Sequence, residues 1–212
     1  HGNMDAGSFI FELDGVRWVV DPGNQNYHNL EKTGFNLWGR CQDCERWTLI
    51  TKNNYGHSTL TVNDALHVVD GFAPISDFQD GEQPEATVDL TAAFGDKLEA
   101  AKRRFFKEDN QSLLIEDHFT INENTEKVTW QLMTTAEVEI TEDGALLSKD
   151  GKSLKLENLS HPELQMTVVQ LDPPPIELDR KIDGLKRLEI KMPAYIFSED
   201  EQTLRVRLSR MP

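Results

Sequence analysis

The feature that most constrains the fold of this chain is the close spacing of its turn signals. Short runs of apolar and β-branched residues alternate with turn dipeptides, and the runs are too short for helices. Asp14-Gly15 separates residues 9–13 from residues 16–20, and such a dipeptide tolerates the positive φ angles of a tight hairpin. The pattern predicts an all-β chain whose first two strands pair with each other.

The same pattern continues along the chain. Asn63-Asp64 separates residues 59–62 from residues 66–69, so these two runs are also predicted to pair. Residues 128–156 contain two further Asp-Gly turns between apolar runs. Because neighbouring runs joined by tight turns pair as hairpins, this part is predicted to form a meander.

Three later segments complete the predicted architecture. Residues 95–107 fit a helix and an irregular strand equally well, and this alternative stays open. Residues 173–175 are three consecutive prolines, which predict an exposed connection because proline donates no hydrogen bond to a β-ladder. Residues 203–208 alternate polar and apolar side chains, as a final strand with one solvated face does. We therefore expect an antiparallel β-sandwich.

The charge of the chain limits its partners. It has 37 Asp and Glu against 22 Lys and Arg, a net charge of -15. Nucleic acid and anionic membrane surfaces are excluded as main partners because they would be repelled. An acidic sugar needs cationic contacts in a local patch or on another domain. No apolar run approaches the roughly 18 residues of a membrane helix, and the length suits one soluble domain over residues 1–212.

Cys41 and Cys44 are the only cysteines, spaced C-x-x-C. This spacing occurs in redox pairs and in half-sites for zinc. The redox interpretation requires a βαβ context, which the sequence lacks, and the zinc interpretation requires a second pair. We therefore expect two unpaired structural thiols.

The candidate site residues lie in the first sixty positions. His1 precedes the first predicted strand, Asp21 follows the second, and His57 stands before residues 59–62. Imidazole nitrogens and carboxylate oxygens at neighbouring strand ends are zinc ligands. On spacing alone, however, turn or surface residues are the commoner explanation.

Three strings in this region are characteristic: H-G-N-M-D-A-G-S-F, then N-N-Y-G-H-S-T-L-T-V-N-D, then V-D-G-F-A-P-I. Over residues 1–75 the sequence resembles the C-terminal β-sandwich (supersandwich-like) domain of the heparinase II/III-like polysaccharide lyases, and the rest is consistent with it. The resemblance implies an N-terminal α/α toroid that this chain lacks, so we expect a fragment of a larger enzyme. The start at His1 without an initiator Met agrees with that expectation.

The resemblance also implies roles for individual residues. His1 falls on the catalytic His of the family, which acts as a base or carboxylate neutraliser. Asp21 and His57 fall on two ligands of a structural zinc ion in several relatives. Asn3 falls on the third ligand, a His, so the motif departs from the family there and only an amide oxygen is offered. The implied zinc would fix the strand ends that present His1.

The implied reaction is β-elimination on an acidic polysaccharide, with the Tyr and the Asn or His of the toroid sharing the chemistry. Tyr27 and Trp38 lie in a loop-rich stretch expected to face a partner domain and are the candidates for stacking on sugar rings, although packing in the core or at an interface is the commoner explanation. Arg40 and Arg46 are candidates for substrate carboxylates or for surface ion pairs. His28, His67, His118 and His161 are expected to be structural.

The family resemblance implies a periplasmic or secreted bacterial protein. The rival hypothesis is a non-catalytic module, either carbohydrate-binding or structural, or a domain whose lyase function has been lost. The sequence leaves open which glycan is cleaved, whether cleavage is endo or exo, and whether the domain forms a homodimer.

Overall fold

The computed structural model describes residues 2–211 of the 212 residues. In that range the chain forms fourteen strands, one short α-helix and several 3₁₀ helices. The strands are β1 (Phe11–Leu13), β2 (Val16–Val19), β3 (Leu60–Val62), β4 (Ile75–Gln79), β5 (Glu85–Asp89), β6 (Ala100–Phe106), β7 (Ser112–Thr120), β8 (Lys127–Thr134), β9 (Glu137–Ile140), β10 (Gly144–Lys149), β11 (Lys152–Asn158), β12 (Thr167–Gln170), β13 (Lys186–Pro193) and β14 (Glu201–Arg210). The helix is α1 (Tyr27–Lys32), and the 3₁₀ helices are Glu45–Thr48, Asn54–Gly56, Thr91–Ala93, Gly95–Lys97 and Ala194–Ile196.

The strands form three antiparallel sheets. The large sheet has eight strands in the order β4-β5-β6-β7-β14-β11-β10-β9, and the small sheet has four in the order β12-β13-β8-β3. β1 and β2 form a separate hairpin. Side chains of both larger sheets and of the hairpin belong to one buried apolar cluster, which is the arrangement of a β-sandwich. The expected antiparallel all-β fold is confirmed.

Strand β8 shows why the small sheet is covered on both faces. Trp130 and Leu132 point into the cluster between the sheets, whereas Gln131 and Met133 point to the other face and are also buried. A layer of loops covers that other face, since Gln131 Nε2 donates to the Asn54 carbonyl over 2.9 Å and Met133 packs against Ile50. This loop layer carries the candidate site residues.

The first predicted hairpin is confirmed, and the second is wrong. β1 pairs with β2 across Asp14 and Gly15, which have φ angles of 56° and 75°. β3 instead pairs with β8, and residues 66–69 form no strand. The reason is that residues 66–69 bond elsewhere, since the Val68 amide donates to the Ala93 carbonyl over 2.9 Å.

The remaining predictions for the strands can be compared directly. β9, β10 and β11 are antiparallel neighbours, so the meander is confirmed. The ambiguous residues 95–107 divide into a short 3₁₀ helix and strand β6. Residues 173–175 connect β12 and β13 at the surface, and β14 buries Leu204, Val206 and Leu208 on one face, as predicted. No helix within residues 2–211 is long and apolar enough to cross a membrane.

A buried ion pair joins the large sheet to the loop layer. Arg103 on β6 donates from Nε to Asp117 Oδ1 over 2.7 Å and from Nη2 to Asp117 Oδ2 over 2.9 Å, and both side chains are almost fully buried. The Nη1 atom of Arg103 donates to the carbonyl oxygens of Gly7 and Ser58, each over 2.9 Å. One guanidinium therefore fixes the N-terminal segment and the start of β3 against the sheet.

His67 is a buried histidine whose role agrees with the structural expectation. Its Nε2 donates to the Leu60 carbonyl over 2.8 Å, and its ring makes an edge contact with Phe94. The pKa of His67 is lowered to about 4, mainly by burial; the Leu60 carbonyl opposes this effect, and the nearby His57 and Arg103 add to it. The imidazole is therefore neutral in the folded protein at pH 7.

This buried imidazole predicts acid destabilisation. Its folded pKa of about 4 lies below the ordinary 6.5, so the unfolded chain binds a proton that the folded chain does not. The contribution of neutral His67 to the free energy of unfolding is fully present above pH 6.5. It is lost as pH falls toward 4, by up to about 3 kcal/mol. Urea unfolding across this pH range measures it.

The variant His67→Gln keeps an amide donor for Leu60 but has no titrating ring, so the pH dependence should become shallower between pH 6.5 and 4. His28→Gln at an exposed position is the matched control and should keep the wild-type dependence. An unchanged slope in His67→Gln would show that other groups cause the acid destabilisation.

Candidate functional site

The structure brings Asp21 and His57 together. His57 Nε2 lies 3.6 Å from Asp21 Oδ2, which confirms the expectation that the two side chains lie within about 5 Å. The imidazole is fully buried and the carboxylate is partly exposed. His57 Nδ1 lies 2.7 Å from the Asn53 carbonyl oxygen, which can only accept, so the proton resides on Nδ1. Nε2 then presents a lone pair and has no hydrogen-bond partner among the described residues.

The segment before His57 is shaped by its own side chains. Asn53 Oδ1 accepts from the Tyr55 amide over 3.0 Å, which caps the 3₁₀ helix Asn54–Gly56. A Cβ atom at Gly56 would lie 1.8 Å from the Ile50 carbonyl oxygen, so only glycine fits there. This close approach turns the chain so that the His57 ring enters the protein instead of solvent.

Two of the three expected zinc ligands have suitable geometry. Ligand atoms at about 2.0–2.2 Å from a tetrahedral zinc ion are about 3.3–3.6 Å apart, which agrees with the Asp21 to His57 separation. A backbone carbonyl orienting the second ring nitrogen is also typical of zinc-binding histidines.

The third expected ligand, Asn3, does not complete the zinc site. Its Oδ1 already accepts from Lys52 Nζ over 3.2 Å. A zinc ion bound to that oxygen would lie within about 5.4 Å of the ammonium group, where their repulsion is about 6 kcal/mol at an effective dielectric constant of about 20. Within residues 2–211 no group of three or more His, Cys, Asp or Glu converges on one point. The described residues do not fit a zinc site, and zinc stays a prediction of the resemblance.

Lys52 is the centre of the arrangement. Besides Asn3, its Nζ bonds to Asn24 Oδ1 over 2.9 Å and to the Tyr27 hydroxyl over 3.3 Å. Asn24 follows Asp21 by three residues, and Lys52 precedes His57 by five. We call this set of residues the Lys52 corner: Asn3, Asp21, Asn24, Lys52 and His57.

His1, the expected catalytic residue, lies outside the described residues. The residues that follow it are firmly held, since the Gly2 carbonyl accepts from Arg46 Nη2 over 2.7 Å and the Met4 amide donates to the Lys52 carbonyl over 2.8 Å. The chain immediately after His1 is therefore fixed at the Lys52 corner by both Arg46 and Lys52.

Arg46 and Lys52 are buried cations without a carboxylate partner in the described part of the chain. The other two buried cations, Arg103 and Lys186, pair with carboxylates. Arg46 stacks over the Trp47 ring at 4.4 Å, and burial lowers the pKa of its guanidinium. Two buried positive charges therefore adjoin the segment after His1, on a chain whose net charge is -15.

Tyr27 and Trp38, the expected sugar-binding aromatics, contact each other. Their rings meet edge to face with centroids 5.4 Å apart, and Trp38 is 49% exposed. Trp38 Nε1 donates to Glu31 Oε1 over 2.8 Å, which fixes the indole. The Tyr27 ring also lies 5.1 Å from Lys52 Nζ, so this aromatic pair adjoins the Lys52 corner.

The expectation of two unpaired thiols is wrong, because Cys41 and Cys44 form a disulfide. A turn brings their Cα atoms to 5.1 Å, and the Cys44 amide donates to the Cys41 carbonyl over 3.3 Å. Both sulfur atoms are therefore occupied and neither is available to a metal ion.

Sequence reasoning named Arg46 but missed Lys52. A lysine next to Asn53 carries no motif, because its partners Asn3, Asn24 and Tyr27 are 25 to 49 residues away in sequence. The available signal was its position directly before the N-N-Y-G-H string, but that position does not indicate which way the side chain points.

The profile of the family described as "Heparinase II/III-like, C-terminal" matches residues 1–180. The chain therefore belongs to the heparinase II/III-like C-terminal domain family, as the sequence resemblance implied. A comparison with curated protein sequences found no match.

Several solved structures share this fold. A crystal structure of heparan sulfate lyase HepC from Pedobacter heparinus superimposes with a TM-score of 0.67 at 14% identity, covering 99% of this chain and 31% of that one. A heparinase III structure gives 0.65 at 13% identity, covering 99% of this chain and 30% of that one. This chain therefore spans about a third of the length of those proteins.

The hydrogen bonding around His57 predicts a single tautomer. At pH 8 the ring should carry its proton on Nδ1, because Nδ1 faces the Asn53 carbonyl. Long-range ¹H–¹⁵N correlation spectra distinguish the two tautomers by their nitrogen shifts. His67, which donates from Nε2 instead, is an internal control with the opposite pattern. A proton on Nε2 of His57 would contradict the geometry.

Proposed function

We propose that this chain is the sandwich domain of a polysaccharide lyase that cleaves uronate-containing glycans by β-elimination. The observation that carries the proposal is the Lys52 corner: Lys52 bonds to the chain following His1 and to Tyr27 of the aromatic pair, and the Asp21–His57 contact joins the two segments that supply Asn24 and Lys52. The family membership and the likeness to heparan sulfate lyase and heparinase III folds support it.

The reaction assigns distinct tasks to the groups around the sugar. A base takes the proton from C5 of the uronate, the electron pair forms the C4–C5 double bond, and the bond from C4 to the leaving oxygen breaks. That oxygen must gain a proton from an acid. The charge that builds on the C6 carboxylate requires stabilisation by prearranged donors. In this proposal His1 supplies one of these groups, and the others belong to a toroid domain.

In this proposal the described residues hold the segment after His1 in place and attract an anionic sugar. Arg46 and Lys52 fix Gly2, Asn3 and Met4, the residues that follow His1 in sequence. Their positive charge, uncompensated by described carboxylates, favours an anionic sugar at a corner of an otherwise acidic domain. In this proposal the two cations serve as the local positive charge that an acidic substrate requires.

The aromatic pair supplies an apolar surface beside this charge. Trp38 is half exposed and held by Glu31, so its ring needs no reorganisation to receive a sugar. Stacking of a sugar ring on the indole would orient the chain of the glycan past the Lys52 corner. The contacts of Tyr27 and Trp38 with the substrate remain predictions.

A periplasmic or secreted location is part of the proposal. The disulfide between Cys41 and Cys44 supports it, since such bonds persist in oxidising compartments and are rare in the cytosol.

The natural protein that contains this domain tests the proposal. It should release unsaturated uronate products, followed by ultraviolet absorbance, from at least one of heparan sulfate, chondroitin sulfate, hyaluronan and alginate. This 212-residue chain alone should release none, because most of the acid, base and neutralising groups are assigned to the toroid. In the natural protein His1→Ala should abolish turnover, and Trp38→Ala should raise KM about tenfold or more by loss of stacking.

Tyr195→Ala is the matched control for Trp38→Ala, because Tyr195 is 87% exposed in the segment after β13. It should leave KM unchanged. No product from any of the four glycans, with glycan binding retained, would favour the non-catalytic carbohydrate-binding module. Turnover by the isolated chain would contradict the division of labour between domains.

A further inference from the structure

The cation bonded to Asn3 is the Lys52 ammonium group, whereas the family resemblance implies a zinc ion at this position. Lys52 is only 1% exposed although it carries a charged group. Burial of a charge is costly unless hydrogen bonds replace its hydration. Lys52 meets this requirement with the oxygens of Asn3, Asn24 and Tyr27, one for each N–H of the ammonium group.

These three oxygens come from separate parts of the chain. Asn3 belongs to the segment that follows His1, Asn24 belongs to the loop after Asp21, and Tyr27 begins α1. The Lys52 backbone also binds the first segment through the Met4 amide, and Thr51 Oγ1 donates to Gln25 Oε1 over 3.0 Å. The segments that carry Asn3 and Asp21, which a zinc ion would join, are thus joined by Lys52 and its neighbour.

The chemistry of the three acceptors supports the same conclusion. All three partners of the ammonium group are neutral, so its full charge remains at the site. A divalent cation at Asn3 would lose the Asn3 oxygen to Lys52 or be repelled by it. Asn3 stands where the family has a His ligand, and an amide oxygen suits an ammonium donor better than a neutral imidazole that must also bind metal.

We propose that the Lys52 ammonium takes the place of the structural metal ion in this domain, and that Lys52 is a metal-independent positioning residue for the segment that carries His1. The Asp21–His57 contact is then a remnant of a ligand set that Lys52 makes unnecessary. This inference concerns the cohesion of the domain, and its readouts do not depend on the lyase activity proposed above.

Thermal unfolding and elemental analysis of this 212-residue chain test the proposal. The purified wild-type chain should contain less than about 0.1 equivalent of zinc, and neither EDTA nor added zinc should move its Tm. Lys52→Met should lower the Tm by at least about 5 °C, because the buried cation joins three segments. The matched control Lys181→Met, at a site 67% exposed, should leave the Tm unchanged.

A converse variant keeps the test independent of the stability of Lys52→Met. The double variant Asn3→His with Lys52→Met restores the His that the family has at this position and removes the competing charge. It should bind about one equivalent of zinc and gain a zinc-dependent rise in Tm. Stoichiometric zinc in the wild-type chain, a wild-type Tm for Lys52→Met, or no zinc binding by the double variant would each overturn the proposal.

Discussion

The buried pair of Arg103 and Asp117 is the interaction on which the candidate site depends. It lies between neighbouring strands β6 and β7, so the ion pair is positioned by the most regular part of the large sheet. Two of its hydrogen bonds leave the sheet and end on the carbonyl oxygens of Gly7 and Ser58. Because a desolvated carbonyl requires a donor, these two bonds determine where the N-terminal segment and the residues after His57 can lie.

From there the loop layer is built outward by polar side chains. Asn53 and Asn54 bind backbone groups around the 3₁₀ helix and His67, Gly56 admits the Ile50 carbonyl, and Lys52 gathers three oxygens. This layer has few regular hydrogen bonds of its own, so side chains satisfy its backbone instead. Side-chain hydrogen bonds therefore hold the backbone of the Lys52 corner in place, as the proposed role of this segment requires.

Much of the fold was predictable from local signals. Asp14-Gly15 specified its hairpin, and the alternation in residues 203–208 specified β14, because turn geometry and side-chain period act over a few residues. Residues 66–69 were predicted wrongly because their partner is the distant Ala93 and not the adjacent β3. The contact between Asp21 and His57 was predictable only through the family motif. The Lys52 network was not, since its acceptors are far apart in sequence and no spacing connects them.

Amide hydrogen exchange of Arg103→Lys tests most directly whether this ion pair organises the site. Lysine keeps the charge next to Asp117 but lacks the planar fork that reaches two further carbonyls. The account predicts faster exchange at Met4, Ser8 and Ser58 with unchanged protection in β10 and β11, whereas Arg17→Lys in the exposed pair with Glu12 changes neither. Unchanged protection at Met4, Ser8 and Ser58 in folded Arg103→Lys would contradict it.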